Sequence, residues 1–196
     1  MLTKKEADKL IGLSGESRGA NIKVDFDFVL ETKREKGLEK VENRMVELGY
    51  PLNYKDIKVM DFYPIGLDII ILLSIKEIFN FNDEDIEKMG SAVVKFSPLT
   101  KVFMKYFGFL NLISAQIPDM WKKHYTIGKL IMPDFSDEKK YAIIREEGFK
   151  IHSVYCNIHK GYFIKVAQMV VNAPVACQET KCMFKGDPYH EFLITW

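Results

Sequence analysis

The chain has 196 residues, of which 47% are hydrophobic and 28% charged, and its formal net charge is +1. This balance is typical of a globular protein, and it gives no basic excess for nucleic acid and no apolar run long enough for a membrane. The N-terminus lacks the apolar core of a signal peptide, and three cysteines are an odd number. We therefore expect a cytoplasmic protein with free or metal-bound thiols and no disulfide framework.

The first part of the chain is predicted to be mainly helical. Thr3 and Glu6 have the spacing of a capping box, which predicts a short first helix. Residues 12–21, rich in glycine and serine, are predicted to form a loop. Gly37 and Gly49 are predicted to end the second and third helices, because glycine adopts the left-handed conformation that commonly follows a helix.

Three longer helices are predicted next. Pro64 suits the first turn of an apolar central helix over residues 62–81, and a helix with an asparagine cap follows over residues 82–96. A further helix is predicted over residues 98–117, and Pro118 is predicted to begin a separate short turn.

The pattern changes near residue 126. Two strands are predicted, joined by a polar turn, and then a helix over residues 156–172 and a final hairpin formed by VACQETKCMF and YHEFLITW. Because the helices are segregated from the antiparallel strands, we predict an α+β fold. Residues 1–125 form its helical part and residues 126–196 its β-β-α-β-β part, in a single domain that spans residues 1–196.

The final hairpin carries candidate metal ligands. If the sequence KGD forms a three-residue loop, Cys182 lies opposite His190 on one face of the hairpin. Glu179 can join them if its strand is bulged. Thiolate, imidazole and carboxylate are all zinc donors, and a fourth ligand would be Cys177 or Cys156. The alternative is that these cysteines only fill space, as free cysteines usually do.

Residues 153–196 resemble the vinyl-4-reductase domain family, which includes the sensor domains of aromatic-responsive transcription activators. In that family a cysteine at the start of a helix, a glutamate, a cysteine and a final cysteine hold a zinc. The resemblance implies that Cys156, Glu179, Cys182 and His190 hold zinc here, with His190 in place of the last cysteine. Four protein ligands leave no position for water, so the zinc would be structural and not catalytic.

Residues 22–130 resemble the helical part of prokaryotic proteins related to haem nitric-oxide-binding (H-NOX) and TRAPP-like domains, including the YP before the long helix and the DEDIEKMG in the next. This resemblance implies helices packed on a twisted antiparallel sheet in a ligand-binding fold that is often dimeric. H-NOX proteins bind haem through a histidine on a central helix and a Tyr-x-Ser-x-Arg motif, and the motif is absent here. His124 lies near the right region, but its charged neighbours indicate a solvated turn. The sequence therefore disfavours haem but leaves it open.

A small hydrophobic or aromatic ligand is the leading prediction, because Phe and Met are abundant in the middle of the chain and adapt well to apolar ligands. Trp121 Nε1, the Tyr106 hydroxyl and His124 are predicted to orient a ligand hydroxyl. The full set of predicted pocket residues is Tyr106, Phe107, Trp121, His124, Met132 and Phe135.

We therefore expect a stand-alone sensory protein that binds such a ligand in an internal pocket and is stabilised by a structural zinc. We also expect a homodimer that signals through a partner protein, with neither nucleic acid nor membrane as a partner. The sequence has no GxGxxG after a strand, no P-loop, no GxSxG and no HExxH, so we do not expect an enzyme. The two alternative functions are a haem-binding gas sensor of H-NOX type and a TRAPP-like assembly module.

Overall fold

Six helices and two antiparallel sheets make up the part of the chain that the computed structural model describes, residues 1–96, 110–171 and 173–196. The α+β prediction is confirmed. The helices are α1 (Lys4–Ile11), α2 (Gly19–Glu47), α3 (Ile65–Ile78), α4 (Asp83–Phe96), α5 (Leu110–His124) and α6 (Val154–Val171). The strands are β1 (Glu16–Arg18), β2 (Phe62–Pro64), β3 (Lys129–Ser136), β4 (Tyr141–Glu147), β5 (Ala176–Lys181) and β6 (His190–Thr195).

The first two helices agree only in part with the sequence prediction. α1 begins with the expected capping box, in which Glu6 N donates to Thr3 Oγ1 at 3.3 Å and Thr3 N donates to Glu6 Oε2 at 2.8 Å. The predicted loop over residues 12–21 is wrong, because it contains β1 and the start of α2. The predicted division into two helices is present, because α2 contains a residue with non-helical backbone angles, but the break lies at Arg34 (φ 63°) and not at Gly37.

α3 is the central helix, as its apolar sequence predicted. Ile65, Ile69, Ile70, Ile71 and Ile75 are fully buried. Burial on all sides explains why this sequence shows no single apolar face. No helix among the described residues has the length and apolar character needed to cross a bilayer.

α5 differs from the prediction around Pro118. Most of the predicted helix over residues 98–117 lies outside the described residues, and Pro118 lies within α5 instead of starting a separate turn. A proline inside a helix removes one backbone hydrogen bond. The helix nevertheless continues to His124, and the buried side chain of Trp121 holds its last turn against the core.

The main sheet has the strand order β3-β4-β6-β5, with every neighbouring pair antiparallel. Its strands confirm the two predicted hairpins. One face of β4 and β6 is buried through Ala142, Ile144, Phe192 and Ile194. β3 pairs with β4 across a register shift between Ile131 and Asp134, and α5 packs next to β3.

α4 and α6 cross at a pair of glycines. A Cβ on Gly161 would lie 1.8 Å from the carbonyl oxygen of Glu87, and one on Gly90 would lie 2.0 Å from the carbonyl oxygen of Ile158. Ser91 Oγ also donates to the Gly161 carbonyl at 3.0 Å. The two backbones can approach this closely only because both positions lack a side chain, and this approach fixes where α6 lies over the sheet.

We predict that Gly161→Ala lowers the free energy of unfolding by about 1–3 kcal/mol, because the new methyl group forces α4 and α6 apart. Urea unfolding followed by circular dichroism measures the loss. Gly12→Ala is the matched control, since its new Cβ would have no neighbour nearer than 3.5 Å. Equal stability of the two variants would contradict the close helix crossing.

Candidate functional site

A cavity of about 150 Å³ lies between the buried face of the main sheet and helices α5 and α6, with α2 and α3 at one end. Its walls are mostly apolar, and its polar groups are gathered where α2, α3, α5 and α6 meet. The apolar wall includes Ile113, Ile117, Leu130, Ile144, Ile158 and Phe163.

The predicted pocket residues are only partly brought together. Trp121, His124 and Met132 line the cavity, whereas Phe135 lies on β3 outside its lining. Tyr106 and Phe107 lie outside the described residues. The single N–H of Trp121, predicted to orient a ligand hydroxyl, donates to the carbonyl oxygen of Ile127 at 2.8 Å.

His124 does not lie in a solvated turn. It is half-buried at the end of α5, and its Nδ1 lies 2.7 Å from Asn21 Oδ1. Because the amide oxygen can only accept, Nδ1 carries the hydrogen and Nε2 keeps its lone pair. Burial, reinforced by the charges of Arg18 and Lys123, lowers the pKa of His124 to about 4. The imidazole is therefore neutral at neutral pH.

Two buried carboxyl groups lie at the polar end of the cavity, and the sequence analysis did not identify them as site residues. Asp25 on α2 and Asp68 on α3 are 5% and 2% exposed. Asp68 Oδ2 accepts hydrogen bonds from Ser17 Oγ at 2.6 Å and from the Tyr155 hydroxyl at 2.9 Å, and Asp68 is also hydrogen-bonded to Asp25. Both acids interrupt apolar stretches of sequence, VDFDFV and IGLDIIILL, and this is the signal that could have revealed them.

Burial raises the pKa of both carboxyl groups, and the negative charge of Asp68 raises the pKa of Asp25 further. Asp68 has three hydrogen-bond donors to stabilise its charge. We therefore assign the shared proton to Asp25, which donates it to the Asp68 carboxylate. The pair then carries a single negative charge.

An aromatic cluster surrounds these groups. The ring centroids of Trp121 and Tyr125 are 4.6 Å apart, and those of Tyr155 and His159 are 5.3 Å apart. Phe149 packs against all four rings at 4.8–5.5 Å. The cluster therefore gives the inner end of the cavity an aromatic environment.

The four predicted metal ligands converge at a second place. One ligand atom each from Cys156, Glu179, Cys182 and His190 lies within 4.8 Å of the others. His190 Nδ1 lies 3.0 Å from Glu179 Oε1 and 3.8 Å from Cys156 Sγ. These four side chains could together hold one metal ion, because all four are donor types that bind divalent metals. Cys177, the other possible fourth ligand, is not part of the cluster.

The hairpin forms this cluster in a way that differs from the prediction. The predicted three-residue loop is wrong, since residues 182–189 separate β5 from β6 and contain a 3₁₀ turn. Lys181 still pairs with Glu191, which leaves Cys182 and His190 as the next residues of the two strands. A register shift after Glu179 is the bulge that was predicted to let this residue join Cys182 and His190.

No protein-family model matches the sequence, and no curated protein matches it. Solved structures of H-NOX proteins do match. An H-NOX protein from S. oneidensis in the Fe(II)NO ligation state has a TM-score of 0.68 and 12% identity, covering 90% of this chain and 97% of its own. A structure from work on heme distortion in the H-NOX family has a TM-score of 0.63 and 13% identity, covering 91% and 94%. An oxygen-binding H-NOX domain related to soluble guanylate cyclases, in its oxygen complex, has a TM-score of 0.62 and 12% identity, covering 91% and 94%.

At these identities the comparison shows the fold alone, and the chain has an H-NOX-like α+β fold. The predicted resemblance is confirmed to that extent, and the resemblances to vinyl-4-reductase and TRAPP domains stay predictions. The cofactor prediction, a structural zinc with haem disfavoured, is wrong. The matching structures are those of H-NOX proteins whose descriptions name ligated Fe(II) and heme, and none of those descriptions names zinc.

We predict that Asp25→Asn makes the protein more stable than wild type, by a margin that grows as the pH rises above about 4. The folded chain keeps a proton on Asp25, whereas the unfolded chain releases it near the ordinary pKa of 3.8. In wild type, the contribution of protonated Asp25 to stability is therefore fully present below a pH of 3.8, and it is lost as the pH rises toward the raised pKa of the folded state. Asparagine keeps the hydrogen-bond donor without taking up a proton, so the margin grows by up to about 1.4 kcal/mol per pH unit.

Urea unfolding at several pH values between about 5 and 8 measures this difference. Asp119→Asn is the matched control, because that carboxylate is 69% exposed on the surface of α5. Identical pH slopes for Asp25→Asn and wild type would show that Asp25 is ionised in the folded protein.

Proposed function

We propose that this chain is a haem-binding gas sensor domain of H-NOX type, in which the cavity would hold the haem and His124 would bind its iron. The observation that carries the proposal is the state of His124. It is a neutral imidazole on the cavity wall, its Nδ1 is hydrogen-bonded to Asn21, and its Nε2 forms no hydrogen bond with any described residue. The H-NOX-like fold supports the same reading, since the similar structures include an Fe(II)NO state and an oxygen complex.

The residues around His124 suit an iron ligand. Metal-binding histidines usually donate their second ring N–H to an oxygen acceptor, which fixes the tautomer and makes the free nitrogen more basic. Asn21 Oδ1 is this acceptor for His124, and Asn21 Nδ2 in turn donates to Ser17 Oγ at 3.0 Å. Haem, when bound, would supply an iron with an open coordination position for a diatomic gas. The chain itself supplies the fixed imidazole and an apolar wall that excludes water.

A second candidate function is binding of a small hydrophobic or aromatic molecule in the same cavity. Its volume of about 150 Å³ favours this candidate over haem, because an apolar cavity of this size holds a single aromatic ring and a porphyrin is several times larger. No lysine or arginine lines the cavity within the described residues, so the two propionates of a haem would find no cation on that part of the wall. The expected homodimer and partner signalling protein stay predictions under either function.

We predict that protein incubated with haem and then desalted shows a Soret band, and that His124→Gln loses the band or shifts it strongly. The reason is that glutamine has no ring nitrogen to bind the iron. Absorption spectroscopy of the reduced and oxidised protein is the measurement. In a second variant, His124→Gly, added imidazole should restore the wild-type band by occupying the position of the missing side chain.

His152→Asn is the matched control for that experiment. His152 lies outside the cavity lining, where its Nδ1 accepts from the backbone N–H of Val154 at 3.1 Å, and asparagine can also accept this hydrogen bond. Haem binding of the control should equal that of wild type. A wild-type protein that retains no haem, or a His124→Gln variant with an unchanged spectrum, would overturn the proposal and leave the small-molecule candidate.

A further inference from the structure

The inner end of the cavity carries a negative charge that no lysine or arginine of the described wall offsets. Asp25 and Asp68 share one proton and retain one charge, and neither is more than 5% exposed. Among the described residues, no lysine or arginine lines the cavity. His124 is neutral, since its pKa is lowered to about 4 by burial. A buried charge without a counter-charge is costly, so this end of the cavity favours a cation.

Burial raises the pKa of Asp68 and the charge of His159 opposes this rise, but His159 is paired with a carboxylate of its own. Its Nδ1 lies 2.7 Å from Glu146 Oε1, and both side chains are almost fully buried. Any positive charge on this imidazole is therefore matched by its own carboxylate. The charge of the Asp25–Asp68 pair remains in excess on the cavity wall.

Two hydrogen-bonding groups at the inner end of the cavity have capacity that the described residues do not use. Tyr125 lines the cavity and is 9% exposed, and no described residue forms a hydrogen bond with its hydroxyl. Asp68 accepts from Ser17, Tyr155 and Asp25, whereas a carboxylate can accept about four hydrogen bonds. A hydroxyl that has no partner among the described residues and a carboxylate with unused acceptor capacity are groups that a ligand with several N–H donors would satisfy.

The aromatic walls add a second attraction for a cation. Trp121, Tyr125 and Tyr155 all line the cavity close to the acid pair. A cation within about 6 Å of such a ring centre is attracted by the negative face of the ring, most strongly where water is excluded. An anionic ligand would be repelled by Asp68 and would gain nothing from these rings.

We infer that the cavity binds a small organic ammonium ion, whose amine lies at the Asp25–Asp68 end and whose single ring or short chain fills the apolar part. The apolar volume of about 150 Å³ limits the ligand to roughly the size of benzene with a short substituent. This inference rests on the second candidate function, that the cavity takes a small molecule, and it names the chemical class of that molecule. The amine N–H groups donate to Asp68, and the Tyr125 hydroxyl accepts from the amine.

The test compares three ligands that each carry one small polar group on a benzene ring: benzylamine, benzyl alcohol and benzoate, whose polar groups are cationic, neutral and anionic at neutral pH. Isothermal titration calorimetry with the full chain at neutral pH gives the three dissociation constants. We expect benzylamine to bind about tenfold or more tightly than benzyl alcohol, and benzoate to bind more weakly than either. Asp68→Asn should bring benzylamine and benzyl alcohol to within about twofold of each other, because it removes the charge and leaves the volume.

Asp119→Asn, which removes an exposed carboxylate from α5, should keep the wild-type preference for the amine. Equal binding of amine and alcohol to wild type would overturn the ammonium inference while leaving the small-molecule function standing, and this comparison needs no variant to fold. An amine preference that survives in Asp68→Asn would also overturn it. Failure of all three compounds to bind wild type would instead remove the small-molecule function on which the inference rests.

Discussion

The hydrogen bonds to the buried Asp68 carboxyl join the elements on which the cavity depends. Asp68 lies on α3, and its partners Ser17, Tyr155 and Asp25 come from β1, α6 and α2. The residue is 2% exposed, so each donor compensates for water that the carboxylate has lost. Breaking such a buried charged group away from its partners typically costs about 3–5 kcal/mol. This one carboxyl group therefore ties the helical part of the chain to the helix that covers the sheet.

The same network also fixes the candidate ligand-binding groups. Ser17 contacts both Asp68 and Asn21, and Asn21 holds the imidazole of His124. Both candidate functions therefore use one polar end of one cavity, through His124 for haem and through Asp68 for a small ammonium ion. Tyr155 reaches the polar end of the cavity, whereas Cys156, the next residue on α6, belongs to the cluster of four candidate metal ligands. A shift of α6 would move both sites together.

Local sequence patterns were enough to predict most elements and to place Cys182 beside His190, whereas Cys156 was chosen over Cys177 as the fourth metal-ligand candidate only through the family resemblance. Caps, strand alternation and hydrophobic spacing act over a few residues, and the bulge after Glu179 lay within that range. The continuation of α5 past Pro118 depended on packing against distant elements, which local propensity does not contain. His124 was misjudged for the same reason, because Asn21, which buries and orients it, lies 103 residues away. The acid pair could be suspected only as charges within apolar runs, since its pairing is a property of the folded chain.

The central claim is that the cavity beside His124 is the ligand site of this H-NOX-like fold and that haem occupies it. A crystal structure of protein produced with an ample haem supply, with anomalous diffraction measured at the iron absorption edge, tests this most directly. The account predicts one iron peak in the cavity within coordination distance of His124 Nε2. An iron peak confined to the cluster of Cys156, Glu179, Cys182 and His190, or no iron peak in the protein, would contradict it.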